Sequence, residues 1–218
     1  MSSDYRRTPL TTTSFAILGL LAIQPWTTYQ LAQQMERTLN RIWPRARSKL
    51  YEEPKKLVAH GLAVAAREQV GRRPRTVYSI TGAGRQALAE WLRTPGPGPV
   101  LESEQLTKLF FSDAGRKEDA LATLDATAAW ATEQLDVFAE AASEYLEGGG
   151  RFPERLATTV LGARFLVDFY LGTQRWAQWA RSVVEQWPDD PSQAIVDEAI
   201  LGDLVHRASA ASLASENV

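Results

Sequence analysis

The 218-residue chain contains no cysteine and only two histidines. The absence of thiols excludes disulfides, thiolate metal sites and a cysteine nucleophile, and suits a reducing cytoplasm, the compartment expected here. His60 falls in the last turn of a basic helix, where a cation is mildly favoured by the helix dipole. His206 lies near Asp203 with no third partner in view. No Gly-x-Ser-x-Gly or His-Glu-x-x-His occurs, and Gly148-Gly149-Gly150 lacks the Lys-Ser/Thr of a phosphate loop. The carboxylates of residues 102–147 fall mainly outside the apolar seam described below, as a solvated face does. No catalytic residue, cofactor or metal site is therefore expected, and an enzyme is not. No run of 18 apolar residues occurs, so no membrane span is indicated, and the short run Phe15 to Ile23 reads as a core helix rather than a signal segment.

What is present is unevenly distributed. Residues 1–94 hold 15 Lys and Arg against 6 Asp and Glu; residues 95–218 hold 9 against 20. The overall charge of −2 thus divides into +9 and −11, a front half suited to a polyanion and a back half that avoids one.

The stretch Arg45 to Thr81 concentrates that basic character. From Ser48 to Gly61, Leu50, Pro54, Leu57 and Val58 recur with helical spacing on one side. Ser48, Lys49, Glu52 and Lys56 take the opposite side, with Arg45 before them and Lys55 at the edge. Gly61 ends the helix. Leu62 to Gln69 and Thr76 to Ile80 read as strands, joined by a turn that carries Arg72, Arg73 and Arg75. A short helix followed by a hairpin with a cationic tip suits duplex DNA, because the helix fits the major groove and the tip reaches phosphates. The same charges also fit a helical homodimeric module whose basic face binds an acidic protein, and charge alone leaves both readings open.

Here the residues match a family. Ser48-Lys49-Leu50-Tyr51, Lys55-Lys56-Leu57, His60-Gly61-Leu62 and Val77-Tyr78-Ser79-Ile80-Thr81-Gly82-Ala83-Gly84-Arg85 resemble the winged helix-turn-helix domain of the PadR family of bacterial transcriptional regulators, over roughly residues 13–93. The resemblance implies a dimeric repressor whose second basic helix reads DNA, released in many such regulators by a small aromatic compound. On the repressor reading, Ser48, Lys49 and Glu52 are expected against base edges of a pseudo-palindromic operator, Tyr51 and Lys55 against the backbone, and Arg72, Arg73 and Arg75 against flanking phosphates or the minor groove; Arg45 and Lys56 join this set. One departure is Pro54, which stands where the family usually has leucine. A proline there removes the hydrogen bond to the Leu50 carbonyl and predicts a kink or a late helix start between Ser48 and Glu53.

Around that stretch the pattern is mainly α. Helices are expected over 13–23 and from Thr27, which with Gln30 forms a capping box, to about Thr38. Trp26 and Trp43 read as core or interface anchors, and Thr81 caps a further helix to about Leu92. The alternating Thr94-Pro95-Gly96-Pro97-Gly98-Pro99 marks a boundary, giving a DNA-binding domain 1–94 with a two-stranded wing and a linker 95–100. Past it a helical dimerisation domain is expected over 101–190, then a C-terminal helix and frayed tail over 191–218. After a short helix from Leu101 to Ser112, Lys117 to Leu146 places Leu121, Leu124, Ala128, Ala131, Leu135, Phe138, Ala142 and Tyr145 in a heptad seam. Its partner is expected in Pro153 to Trp187, which carries Leu156, Val160, Ala163, Val167 and Tyr170 on one face and Phe165, Phe169, Gly172, Trp176, Trp179 and Val183 on another. A helix apolar on two sides must be covered on both, which predicts a homodimer. Its order of helices is similar to the C-terminal domain of longer PadR-type regulators. Trp130, Phe169, Trp176 and Trp179 are the candidate lining of an aromatic effector pocket, with dry packing as the alternative. The last helix is expected over about Ser192 to Arg207, packed on the bundle.

Overall fold

A computed structural model describes residues 8–70 and 73–215, with side chains outside residues 70–74 and 211–215. The chain divides into two units, Met1–Pro99 and Val100–Val218.

The first unit is built on α1 (Thr12–Ile23), whose Ile17, Leu18 and Leu21 are fully enclosed. Thr11 caps it: the Thr11 side chain accepts from the Ser14 amide at 3.4 Å while Ser14 Oγ accepts from the Thr11 amide at 3.0 Å. Next come β1 (Trp26–Thr27) and α2 (Thr28–Thr38). The Thr27–Gln30 capping box forms, with the Thr27 amide donating to Gln30 Oε1 at 2.9 Å. Trp26 is buried and its indole donates to the Leu20 carbonyl at 2.8 Å, so it anchors the core. The second basic helix, α3 (Arg47–Ala59), packs Leu50, Pro54 and Leu57 inward.

Pro54 neither delays nor interrupts α3, which starts at Arg47 and continues through it, contrary to the late start that its place in the sequence predicts. The proline ring is fully buried beside Leu50 and Leu57. Packing of this kind offsets the loss of one backbone hydrogen bond.

The wing is the antiparallel pair β2 (Ala63–Val70) and β3 (Arg73–Ile80). The sheet has a third member that the two-strand expectation lacked: β1 pairs with β3, Trp26 opposite Tyr78 and Thr27 opposite Val77, in the order β1-β3-β2. Two residues between a helix and a capping box carry no period-2 signal, which is why β1 is silent in the sequence. A fourth helix, α4 (Gly82–Arg93), returns to α1, where Phe15 and Trp91 stack at 5.0 Å.

The roots of the wing meet at one spot. Gly61 takes φ +74° after α3, the conformation a helix stop needs. Thr81 Oγ1 donates to the Gly61 carbonyl at 2.8 Å and accepts from the Gly84 amide at 3.0 Å, while the Thr81 amide donates to the Leu62 carbonyl at 3.0 Å. Gly84 lies so close that a β-carbon there would sit 2.1 Å from the Leu62 carbonyl oxygen. The Gly-Leu and Thr-x-x-Gly motifs are therefore two halves of one joint.

The second unit contains α5 (Glu104–Phe110), α6 (Lys117–Leu146), α7 (Leu156–Val184) and α8 (Glu198–Ser215). α6 packs on α7, with Ala120, Leu124, Thr127 and Ala131 buried; Leu124 and Ala131 belong to the expected seam, whereas Ala142 is exposed. The buried stripe of α7 is Leu166, Tyr170, Ala177 and Val184, of which only Tyr170 belongs to a face read from the sequence. Lys117 ties the pair at one end, its ammonium donating to the Glu185 and Trp187 carbonyls at 2.7 and 2.6 Å. Arg181 reaches Asp125 at 2.6 Å and Gln174 reaches Thr132 at 2.7 Å. Contrary to expectation, α8 lies exposed from Leu201 to Ala210 instead of packing on the bundle, and helix persists to Ser215 through the stretch read as frayed. Alanine-rich sequence has the intrinsic propensity to do so. Among the described residues no helix is long and apolar enough to cross a membrane.

Candidate nucleic-acid interface

The exposed side of α3 is a stripe. Ser48, Tyr51, Glu52 and Lys55 follow one another at helical spacing and all face solvent, with Lys49 beside them in the first turn; Tyr51 is 37% exposed. The buried side packs against α1 and α2. This geometry presents two cations, a carboxylate, a hydroxyl and a phenol on one rigid element, the donor and acceptor types that read base edges and phosphates.

Lys56 is a correction. It is 4% exposed, so it does not share the solvent face with Lys49 and Glu52. Toward its C-terminal end α3 is covered by α1, and the Lys56 ammonium donates to Ser14 Oγ at 3.2 Å and lies 3.5 Å from Glu53 Oε1. The same angular position is open two turns earlier, at Lys49. Periodicity alone cannot distinguish the two ends.

Two cations flank the first turn. Arg45 is exposed, donates to the Pro44 carbonyl at 2.6 Å and lies over the Trp43 ring at 4.1 Å. The Trp43 indole in turn donates to Thr13 Oγ1 at 3.0 Å, so this aromatic serves as a platform at the domain surface rather than as a free stacking group. Arg47, which the sequence reading passed over, grips Glu36 of α2 through two contacts, Nη2 to Oε2 at 2.7 Å and Nε to Oε1. The guanidinium hydrogen bonds hold the Glu36 carboxyl below its ordinary range and raise Arg47 above its own. The eleven-residue separation of this pair crosses two elements, and no local pattern betrays it.

In the wing, Arg75 is exposed but paired: its guanidinium meets Glu68 Oε2 at 2.8 and 3.2 Å, and the two residues are register partners. Arg67 stands opposite Thr76 in the register and is exposed. Arg72 lies outside the described residues, and Arg73 is described in its backbone alone, as the strand partner of Val70.

In the second unit the four candidate aromatics separate. Trp130 and Phe169 both approach the buried Tyr170 ring, edge-on at 5.3 and 5.5 Å, with Phe138 at 6.0 Å. Trp176 packs instead on the core of Ala120, Leu124 and Val184, and Trp179 is 46% exposed. Trp176 and the Tyr170 cluster thus have different buried neighbours. No group of His, Cys, Asp or Glu among the described residues is arranged to hold a metal ion.

Comparison with known proteins places these features in context. Residues 17–90 match the family model described as transcriptional regulator PadR-like family, and residues 102–185 match that described as virulence activator alpha C-term. The negative transcriptional regulator PadR of Bacillus subtilis is 30% identical over 107 residues, covering 48% of this chain. The match spans 59% of that relative's length. The crystal structure of Bacillus subtilis PadR in complex with operator DNA aligns with a TM-score of 0.70 at 19% identity, covering 80% of this chain and 99% of that one. The structure of the same protein in complex with p-coumaric acid aligns with a TM-score of 0.64 at 20% identity, covering 81% and 100%.

Proposed function

This chain belongs to the PadR-like family of transcriptional regulators, which are not enzymes, and we propose that it is a cytoplasmic, homodimeric repressor that reads a pseudo-palindromic operator through α3. The observation that carries the reading is the solvent stripe of α3, where Ser48, Tyr51, Glu52 and Lys55 stand clear of the core with Lys49 beside them. In this reading Ser48, Lys49 and Glu52 meet base edges, Tyr51, Lys55 and Arg45 the backbone, and the wing arginines Arg72, Arg73 and Arg75 the flanking phosphates. Residues 1–94 are the reading domain, 95–100 the linker, 101–190 the dimerisation domain and 191–218 the C-terminal segment.

Dimerisation is supported by apolar surface left uncovered on α7: Val160, Leu161 and Phe165 are 49%, 71% and 60% exposed. A contiguous patch of this kind on a soluble protein marks an interface. A two-fold dimer would set the two copies of α3 about one turn of B-DNA apart, roughly 34–36 Å, and mirror its symmetry in the operator. The cluster of Trp130, Phe138 and Phe169 around Tyr170 is the place where a small planar aromatic acid would act on that dimer. Such a ligand accompanies the Bacillus subtilis protein in one of its structures.

The test is a gel shift of the full chain on fragments flanking its own coding sequence, with unrelated duplex as competitor. Site reading gives a complex that survives a large excess of competitor, and aromatic acids dissociate it. A shift that unrelated DNA removes at equal concentration leaves only charge attraction and refutes the operator.

A further inference from the structure

Beneath α3 lies a closed polar network. The Ser14 hydroxyl donates to Glu53 Oε2 at 2.7 Å and accepts from Lys56 Nζ at 3.2 Å and from the Thr11 amide at 3.0 Å. Lys56 Nζ lies 3.5 Å from Glu53 Oε1, which closes the triangle. Ser14 is wholly enclosed and Lys56 nearly so, and among the described residues no buried side-chain nitrogen or oxygen lacks a partner.

The network differs in kind from the rest of the α3 packing. Leu50, Pro54 and Leu57 bury apolar surface, and apolar contacts tolerate small slides and rotations because they are not directional. A charged triangle does not. Rotating α3 would leave a buried ammonium or carboxylate without its partner, a costly state in a low-dielectric interior. The far side of the triangle is fixed as well, since Ser14 belongs to the capping box that starts α1. Glu53 directly follows Glu52, so the residue locked inward and the residue presented outward share one peptide bond.

We propose that Ser14, Glu53 and Lys56 are positioning residues that fix the rotation of α3 about its axis, and with it the set of side chains offered to the bases. Lys56 makes no contact with DNA. The charge of Glu53 is neutralised from within, so the carboxylate does not repel the phosphates that flank α3. This inference rests on the reading of α3 as the helix that meets DNA.

The test compares the wild-type chain with Lys56→Met, Glu53→Gln and the combined Glu53→Gln/Lys56→Met. Each is titrated against the operator fragment and an unrelated duplex over a range of salt, with urea unfolding alongside. Lys56→Met is expected to lose roughly tenfold in operator affinity, the scale of one misread base pair, while its affinity for unrelated duplex and its salt dependence stay those of the wild type. The double variant, which leaves no lone buried charge, regains stability but not the preference for the operator, because the directional triangle is still missing. A fall of about one in the slope of log affinity against log salt would mean that Lys56 touches phosphate, and would overturn the proposal. An unchanged ratio of operator to unrelated affinity, with stability alone reduced, would overturn it too. Should Lys56→Met fail to fold, Ser14→Ala removes the hydroxyl, keeps both charges and is read by the same ratio. A wild-type chain with no preference for any fragment would refute operator reading itself, whereas a selective wild type with equally selective variants refutes only the positioning role.

Discussion

Arg75 and Glu68 stand directly opposite each other on the two strands of the wing, and the guanidinium meets the carboxylate at 2.8 Å. Both side chains are nearly half exposed, so the pair adds little to stability, about 0–1 kcal/mol. Its effect is on availability, because a cation held by a carboxylate is withheld from phosphate. Glu68→Gln is expected to tighten binding to every duplex alike and to steepen the salt dependence by up to about one unit. Filter binding across a salt series checks this, and unaltered affinity would show that Arg75 stays away from DNA whatever its partner.

Arg47 and Glu36 give a pH dependence. The arginine hydrogen bonds hold Glu36 below the ordinary carboxylate range. A depressed folded-state value means stability that is fully present above the ordinary range and is lost as pH falls through the lowered one. Unfolding free energies of wild type and Glu36→Gln are therefore expected to differ near neutrality and to converge in acid. Carboxyl carbon NMR should follow Glu36 titrating below free glutamate; titration at the ordinary value would refute the pairing in solution.

Gly84 has no room for a side chain. With the Leu62 carbonyl oxygen 2.1 Å and Ile80 Cγ1 2.8 Å from where a β-carbon would stand, Gly84→Ala must separate α4 from the base of the wing. A loss of about 1–3 kcal/mol is expected from such overpacking, measured by urea unfolding. Gly82→Ala, at a position open to solvent within 4 Å, serves as the control and should be nearly silent.

Regular elements were the most legible part of this sequence. The capping box at Thr27 and the seam from Lys117 to Leu146 mark α2 and α6 where they are found, because both signals are local. What the sequence concealed depends on which neighbour covers which end of an element. Lys49 and Lys56 occupy the same side of one helix, yet one is open and the other is buried against Ser14 of α1. Pro54 reads as a breaker in isolation and is accommodated as core in context. Of the inward stripe of α7 the sequence pattern includes only Tyr170, for a related reason: nearly every side of that helix carries apolar residues, so the pattern does not single out the buried one.

The uncovered side of α7 makes oligomeric state a direct readout. Leu161→Glu combined with Phe165→Glu places charges on the apolar patch while leaving the buried stripe of Leu166, Tyr170, Ala177 and Val184 intact. The variant is expected to run as a folded monomer in sedimentation and to lose operator affinity far more than affinity for a half-site. A variant that remains dimeric would place the interface elsewhere.

The shared joint of Gly61, Thr81 and Gly84 gives the wing a single hinge pin at its base. Both strands leave and return through that pin, so a change in the length or charge of the loop between them would leave the seat of α3 undisturbed.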